Sequence, residues 1–305
     1  MLNNMLTKKF RVTKALVKKA FLKPPSDSHK GQNGKVLIIG GSPLFHGAGR
    51  LAAKAAWETI ISFSSKTNDM VYFCSTKANL DYLKCKQECF IGITRNQLDH
   101  YLKSCNAVLV GTGLMREPEE NWPETKKEPL ITKQLTQKVL ESDKKAVLDA
   151  GSLQVISPQA LKNKKIIITP HRTEMAKLFS IDEKKLVTSH NSSFKEIEKV
   201  AQVVWQMAKK YQITILLKGP IDIIAGQNGW YYCLGGNAAM TKGGTGDVLA
   251  GVATAIYSKI NDPLLAASAA SFITKKAGEE SWKKQKWFFN ASDLINQITK
   301  VFNFF

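Results

Sequence analysis

Short, continuous apolar runs recur at Lys35 to Ile39, Met70 to Cys74, Ala107 to Val110, Ala146 to Leu148, Ile166 to Thr169 and Ile213 to Leu217. None alternates apolar with polar residues, so each predicts a strand buried on both faces. Between them lie stretches with helical periodicity, such as Ala48 to Ile61, Ile131 to Glu141 and Phe194 to Lys210. Strands alternating with helices in this way predict a three-layer α/β sandwich around a mainly parallel sheet. The pattern then changes. Asp222 to Ala225 and Trp230 to Leu234 flank Gln227-Asn228-Gly229, a hairpin signal, so the sheet should finish antiparallel. Later helices are expected over Asp247 to Lys259, Pro263 to Glu280 and Ser292 to Val301. The proline-rich stretch Glu117 to Pro129 reads as a surface excursion.

A chain of 305 residues is long enough for one large core. Residues 1 to 26 contain no acid and carry Lys8, Lys9, Arg11, Lys14, Lys18, Lys19 and Lys23, with Leu6, Phe10 and Val17 near helical spacing. We read 1-26 as a basic helical extension and 27-305 as the main domain; a transit peptide would favour Arg and Ser over Lys. With 44 Lys and Arg against 25 Asp and Glu, the formal charge of +19 points to anionic partners. The basic residues are scattered among acids without any nucleic-acid-binding motif, so a Lys-rich solvated surface is preferred to nucleic-acid binding. The five cysteines form no CxxC pair, which suits structural or surface thiols in a reducing compartment. No apolar run approaches the ~18 residues of a membrane span, and no secretory signal opens the chain, so a cytoplasmic location and no membrane partner are expected.

The sharpest local feature is Asn237-Ala-Ala-Met-Thr-Lys-Gly-Gly-Thr-Gly-Asp247, followed at once by the apolar helical run Val248 to Val252. A helix N-terminus offers unpaired N–H groups and the positive end of a dipole, and glycines let a phosphate approach the backbone. Asp247 is either an N-cap or a base that accepts a proton from a hydroxyl attacking a phosphoryl group. The chain has no GxxxxGK[ST] loop, no GxSxG and no protein-kinase signature.

This loop resembles the NPGMATGGTGDVLAG pattern of the carbohydrate-kinase-like NAD(P)H-hydrate dehydratases, and further segments are similar to that family in the same order. They are Asp27-Ser28-His29-Lys30-Gly31 with Gly34 to Ser42, Gly47-Ala48, Gly111-Thr112-Gly113-Leu114, Asp149-Ala150 with Leu153, Thr169-Pro170-His171 with Glu174, and Leu217-Lys218-Gly219. The departures are Asn237-Ala-Ala-Met240 for NPGM, Arg172 where a proline is usual, and Met115-Arg116 where the GPGLG turn closes.

The resemblance implies a ribokinase-like sandwich that uses ADP or ATP, with Mg²⁺, to dehydrate hydrated NADH or NADPH. It implies that Ala48, Gly113, His171 and Asp247 touch the hydrated dinucleotide, with Asp247 catalytic. By the same resemblance Lys218, Gly219, Pro220, Ile221, Asp222 and Gly246 touch the adenine nucleotide, and Gly243, Gly244 and Thr245 complete a phosphate cradle. No protein residue is assigned as a metal ligand. A homo-oligomer such as a tetramer is expected, with the partner epimerase activity on a separate chain. Two other readings stay open. One is a kinase for a vitamin precursor or sugar, which leaves the phosphate on its product; the other is a nucleotide-binding protein without turnover.

Overall fold

The computed structural model describes residues 10–21, 34–62, 70–85, 89–303 and 305. A short helix, α1 (Lys14–Lys18), precedes β1 (Lys35–Ile39). Then follow α2 (His46–Ser62), β2 (Met70–Ser75), α3 (Lys77–Lys84), β3 (Ile91–Thr94), α4 (Leu98–Ser104) and β4 (Ala107–Val110). The middle of the chain forms α5 (Glu128–Glu141), β5 (Lys145–Leu148), the single turn α6 (Gly151–Gln154), β6 (Ile166–Ile168), α7 (Arg172–Phe179), α8 (Phe194–Tyr211) and β7 (Thr214–Leu217). The hairpin of β8 (Asp222–Gly226) and β9 (Gly229–Cys233) leads into α9 (Thr245–Lys259), α10 (Pro263–Gln285) and α11 (Ala291–Phe302).

Among the described residues, all strands join one nine-stranded sheet in the order β3-β2-β1-β4-β5-β6-β7-β8-β9. Neighbours from β3 across to β7 are parallel, and β8 and β9 add on antiparallel. The continuous apolar runs explain the layering. Along β1, Val36 and Ile38 point into one core with Phe73, Leu109 and Val147, while Leu37 and Ile39 point into the other with Val108, Val110 and Leu148. Helices α2, α9, α10 and α11 cover the first face, through residues such as Ala52, Val248, Ile273 and Leu294. Helices α4, α5, α7 and α8 cover the second, through Leu98, Leu135, Met175 and Val204. Among the described residues no helix is long and apolar enough to cross a membrane.

Helix α9 is deeply enclosed, with every residue from Val248 to Ser258 buried. It lies against the alanine-rich face of α2, where Ala52, Ala53, Ala55 and Ala56 are buried. At the contact, a Cβ on Gly251 would stand 2.2 Å from the Ala52 carbonyl oxygen. At the other end of α9, Lys145 Nζ donates to the carbonyls of Ile260 at 2.8 Å and Tyr257 at 3.3 Å, satisfying acceptors that a helix end leaves without partners.

Three elements depart from the sequence reading. Strand β3 carries no continuous apolar run, because it is a sheet edge with Ile91 exposed and Gly92 in its middle. Of the basic helical extension expected over 1-26, the described residues form the helix Lys14–Lys18. Before it, Arg11 bridges Tyr232 beside β9 and Phe10 stacks on Trp230 with ring centroids 4.5 Å apart. Residues 1–9 and 22–33, which include the Asp27 to Gly31 motif, lie outside the described residues. The Glu117 to Pro129 excursion is exposed at first, then turns inward: Glu128 is buried and takes both Arg95 guanidinium nitrogens at 3.0 Å.

The Gly251 contact gives a direct expectation. Gly251→Ala should destabilise the protein by about 1–3 kcal/mol, as overpacking against backbone does, and it should lower the urea midpoint without changing the slope. An unchanged midpoint would show that α2 and α9 separate freely.

Candidate active site

The site collects at the C-terminal ends of the parallel strands, where open α/β sheets place their ligands. After β1 and β4 the chain leaves in opposite directions, since β1 lies between β2 and β4, and the crevice there is lined by glycine turns. Gly113 has φ +69, and a Cβ on it would meet the Phe45 carbonyl at 2.6 Å and the Ala48 methyl at 3.0 Å. Gly111 is tighter still: at φ +126, its Cβ would fall 1.8 Å from the Asp149 carbonyl oxygen. Only glycine lets the β4 and β5 exits pass this closely.

Asp149, at the end of β5, is buried, and its Oδ1 accepts from Thr169 Oγ1 and Lys218 Nζ, each at 2.8 Å. Lys218 is held by its backbone as well, donating to the Pro170 carbonyl at 2.9 Å. His171 opens α7 with a reciprocal cap: its Nδ1 accepts from the Glu174 N–H at 3.3 Å, and its own N–H donates to Glu174 Oε2 at 2.9 Å. The residues after β6 and β7 are therefore braced against one another.

Gly244, at φ +94, is the N-cap of α9, and Thr245, Gly246 and Asp247 form its first turn. Thr245 Oγ1 turns back to the carbonyls of Met240 at 2.8 Å and Lys242 at 3.0 Å, fixing the loop from within. A Cβ on Gly243 would meet nothing within 4 Å, so the turn is open at its tip. Such a turn presents N–H groups and a positive helix end to an anion.

Asp247 has its carboxyl pKa raised to about 7, first by burial and then by the negative charge of Asp149, with Lys218 pulling the other way. For Lys218, burial alone favours the neutral amine, but Asp149, Glu174 and Asp247 outweigh it and the net shift is upward. One ammonium thus faces three carboxylates.

Two cavities are lined by residues of this turn. The larger, about 790 Å³, is lined by Lys218, Gly219, Pro220, Asp222, Gly243, Thr245 and Gly246, together with His171, Asn237 and Lys275. The smaller, about 380 Å³, is lined by Ala48, Gly113, Gln154, Glu174 and Asp247, with Phe45 and Arg116 at its wall. Gly246 faces one and Asp247 the other. A third cavity, about 530 Å³, lies at the opposite ends of β6 and β7 around Lys164 and Tyr257 and shares no residue with these two.

Most residues singled out in the sequence are thus brought together, with three differences. His171 borders the larger cavity and not the one that holds Ala48, Gly113 and Asp247. Ile221 is a core residue, 2% exposed, whose carbonyl accepts from Thr188. Gly244 shapes the turn while its own neighbours are Leu51 and Ala291. Lys275 was not anticipated; it sits in Thr-Lys-Lys-Ala-Gly-Glu-Glu, which reads as a solvated helix face.

The sheet order, with a glycine-capped helix beside a carboxylate at its C-terminal edge, gives the chain a fold of the ribokinase-like class. A ribokinase-like superfamily protein from Enterococcus faecalis shares the fold with a TM-score of 0.73 at 18% identity, over 95% of this chain and 94% of its own. Within that class the chain belongs to the NAD(P)H-hydrate dehydratase family, whose model matches residues 36–300. It is similar to an ADP-dependent (S)-NAD(P)H-hydrate dehydratase from Nitrosopumilus maritimus, 33% identical over 95% of this chain and 96% of the relative. An ADP/ATP-dependent NAD(P)H-hydrate dehydratase from Bacillus subtilis, co-crystallised with ATP and Mg²⁺, has the same fold with a TM-score of 0.74 at 22% identity, over 96% of this chain and 97% of its own.

The raised pKa of Asp247 has a consequence for stability. Its carboxyl is protonated in the folded protein below about 7 but in the unfolded chain only below the ordinary 3.8. Its contribution is therefore complete below 3.8 and is lost as pH rises through 7. Asp247→Asn lacks this loss, so its Tm minus that of the parent should increase between about pH 5 and pH 8 in thermal melts. A constant difference would place the carboxylate in a water-like setting.

Proposed function

We propose that this chain dehydrates the hydrated forms of NADH and NADPH at the expense of ADP or ATP, restoring the reduced cofactor. Membership of the dehydratase family supports this reading. The observation that carries it is that consecutive residues, Gly246 and Asp247, line the two cavities, so that a phosphate in one and a hydroxyl in the other would be handled by one helix turn.

On this reading the nucleotide lies in the larger cavity, between Lys218 to Pro220 and the turn Gly243 to Gly246, with His171 on its wall. Asp222 serves it indirectly, since its Oδ1 accepts from the Gly219 N–H at 2.9 Å and so shapes that turn. The hydrated nicotinamide ring enters the smaller cavity beside Ala48, Gly113 and Asp247. Asp247 removes the proton from the ring hydroxyl, and the oxygen attacks the terminal phosphorus. First-turn N–H groups and Lys218 stabilise the charge on the phosphoryl oxygens, and the nucleotide leaves one phosphoryl group shorter. The lone pair of the ring nitrogen then expels phosphate, and loss of a proton from the neighbouring carbon restores the double bond. Phosphorylation is the device that turns a poor leaving group into a good one.

Mg²⁺ fits this arrangement as a partner of the nucleotide. Among the described residues no three His, Cys, Asp or Glu side chains converge on a metal position. Mg²⁺ carried on phosphates and water needs only one or two protein carboxylates, and Asp149 would supply one. When bound, it would neutralise charge on the transferring phosphoryl group.

The test is incubation with hydrated NADH and each nucleotide. Reduced-nicotinamide absorbance should recover with one free phosphate per turnover, whereas a small-molecule kinase would keep the phosphate on its product. Asp247→Asn should lower kcat by ~10² or more with little change in nucleotide KM. The acid limb of kcat/KM should fall near pH 7, the value given for Asp247, and Lys218→Met should move it upward by removing the nearby positive charge. Unchanged turnover in Asp247→Asn would reject the assigned base.

A further inference from the structure

Helix α10 turns one face toward the larger cavity, and four residues on that face are tied to the loops that wall it. Ser271 Oγ donates to Asp222 Oδ2 at 2.7 Å. Lys275 Nζ donates to the carbonyls of Gly219 and Pro220, each at 3.1 Å, and of Gly235 at 3.4 Å, with Asp222 Oδ1 also 3.4 Å away. The Gly278 carbonyl accepts from Asn237 Nδ2 at 2.9 Å, and Glu279 Oε1 accepts from the Gly236 N–H at 3.3 Å. The spacing is that of neighbours along one helix side.

Lys275 is the unusual member. Its side chain is 9% exposed, and an apolar residue would fill a buried helix face without the cost of desolvating an ammonium. Its three N–H groups are instead used on carbonyls from two separate turns, Gly219–Pro220 before β8 and Gly235–Gly236 after β9, which both line the larger cavity. The second turn is not rigid by sequence, since Gly235 and Gly236 have φ of +107 and +73 and carry no side chains. A point charge with rotatable donors suits gathering carbonyls that the backbone leaves converging.

We propose that Lys275 is a positioning residue of the nucleotide site, its ammonium fixing the distance between the two turns and so the width of the cavity. The proposal rests on the nucleotide-binding reading above. It predicts that loss of the ammonium weakens nucleotide binding while leaving the chemistry at Asp247 nearly untouched.

The experiment compares Lys275→Ala and Lys275→Met with the parent, measuring nucleotide KM and kcat with and without added ammonium chloride, and with tetramethylammonium chloride as the ionic-strength control. Both variants should raise nucleotide KM by ~10-fold or more and change kcat by less than ~3-fold. Ammonium should recover most of the lost affinity in Lys275→Ala, which leaves room among the carbonyls, and not in Lys275→Met, whose stem fills it. Should Lys275→Ala fail to fold, the KM and kcat of Lys275→Met decide the matter. An unmoved KM, a fall confined to kcat, or a raised KM in Lys275→Ala that ignores ammonium each overturns the proposal. A parent protein that binds no nucleotide overturns the underlying functional reading and this proposal with it; binding by the parent with unmoved variants overturns this proposal alone.

Discussion

The contact between α2 and α9 sets the geometry on which the candidate site depends. Gly251 lies against the Ala52 carbonyl with no room for a methyl group, and the alanines of α2 keep the two backbones close. Because α9 is buried along almost its whole length, its first turn is placed by core packing and not by the loop that precedes it. A group that must sit within a fraction of an ångström of a reacting atom is best carried on such an element. The flexible part, Gly243 and its neighbours, then needs only to follow the ligand.

Charge at the site is arranged around one cation. Lys218 is fixed to buried Asp149 and still lowers the pKa of Asp247, while Asp149 raises it. Burial, a like charge and an opposite charge together bring a carboxylate near neutrality, the range in which a base is both available and effective. Thr169 and the Pro170 carbonyl hold Asp149 and Lys218 in place, so that electrostatic balance is built from strand ends and not from side chains free to rearrange. A strongly basic chain also suits two polyanionic ligands, whose approach it would favour at long range.

Much of this was legible in the sequence because buried parallel strands write themselves as unbroken apolar runs. Six such runs and the hairpin point to the sheet, and the glycine turn before Val248 points to a candidate anion site with Asp247 beside it. Edge strand β3 was not legible, since one exposed side removes the signal that identified the others. The N-terminal segment is legible only in part: Val17 lies in the helix Lys14–Lys18, whereas Phe10 precedes it and packs on Trp230. In the site, the run Lys218 to Asp222 includes Ile221, whose side chain is buried in the core. Lys275 was hidden for the opposite reason. A lysine beside another lysine and two glutamates looks solvated, and only the approach of three carbonyls from distant parts of the chain gives it a different role.

The lysine that closes the far end of α9 has an effect beyond satisfying two carbonyls. A helix of 15 residues separates its poles by roughly 22 Å, and Lys145 sits at the negative one. With that pole offset by an ammonium group, the field at the opposite pole is less diminished by its own counterpart. The helix then behaves less as a balanced dipole and more as a single positive terminal, presented at the turn whose residues line both cavities.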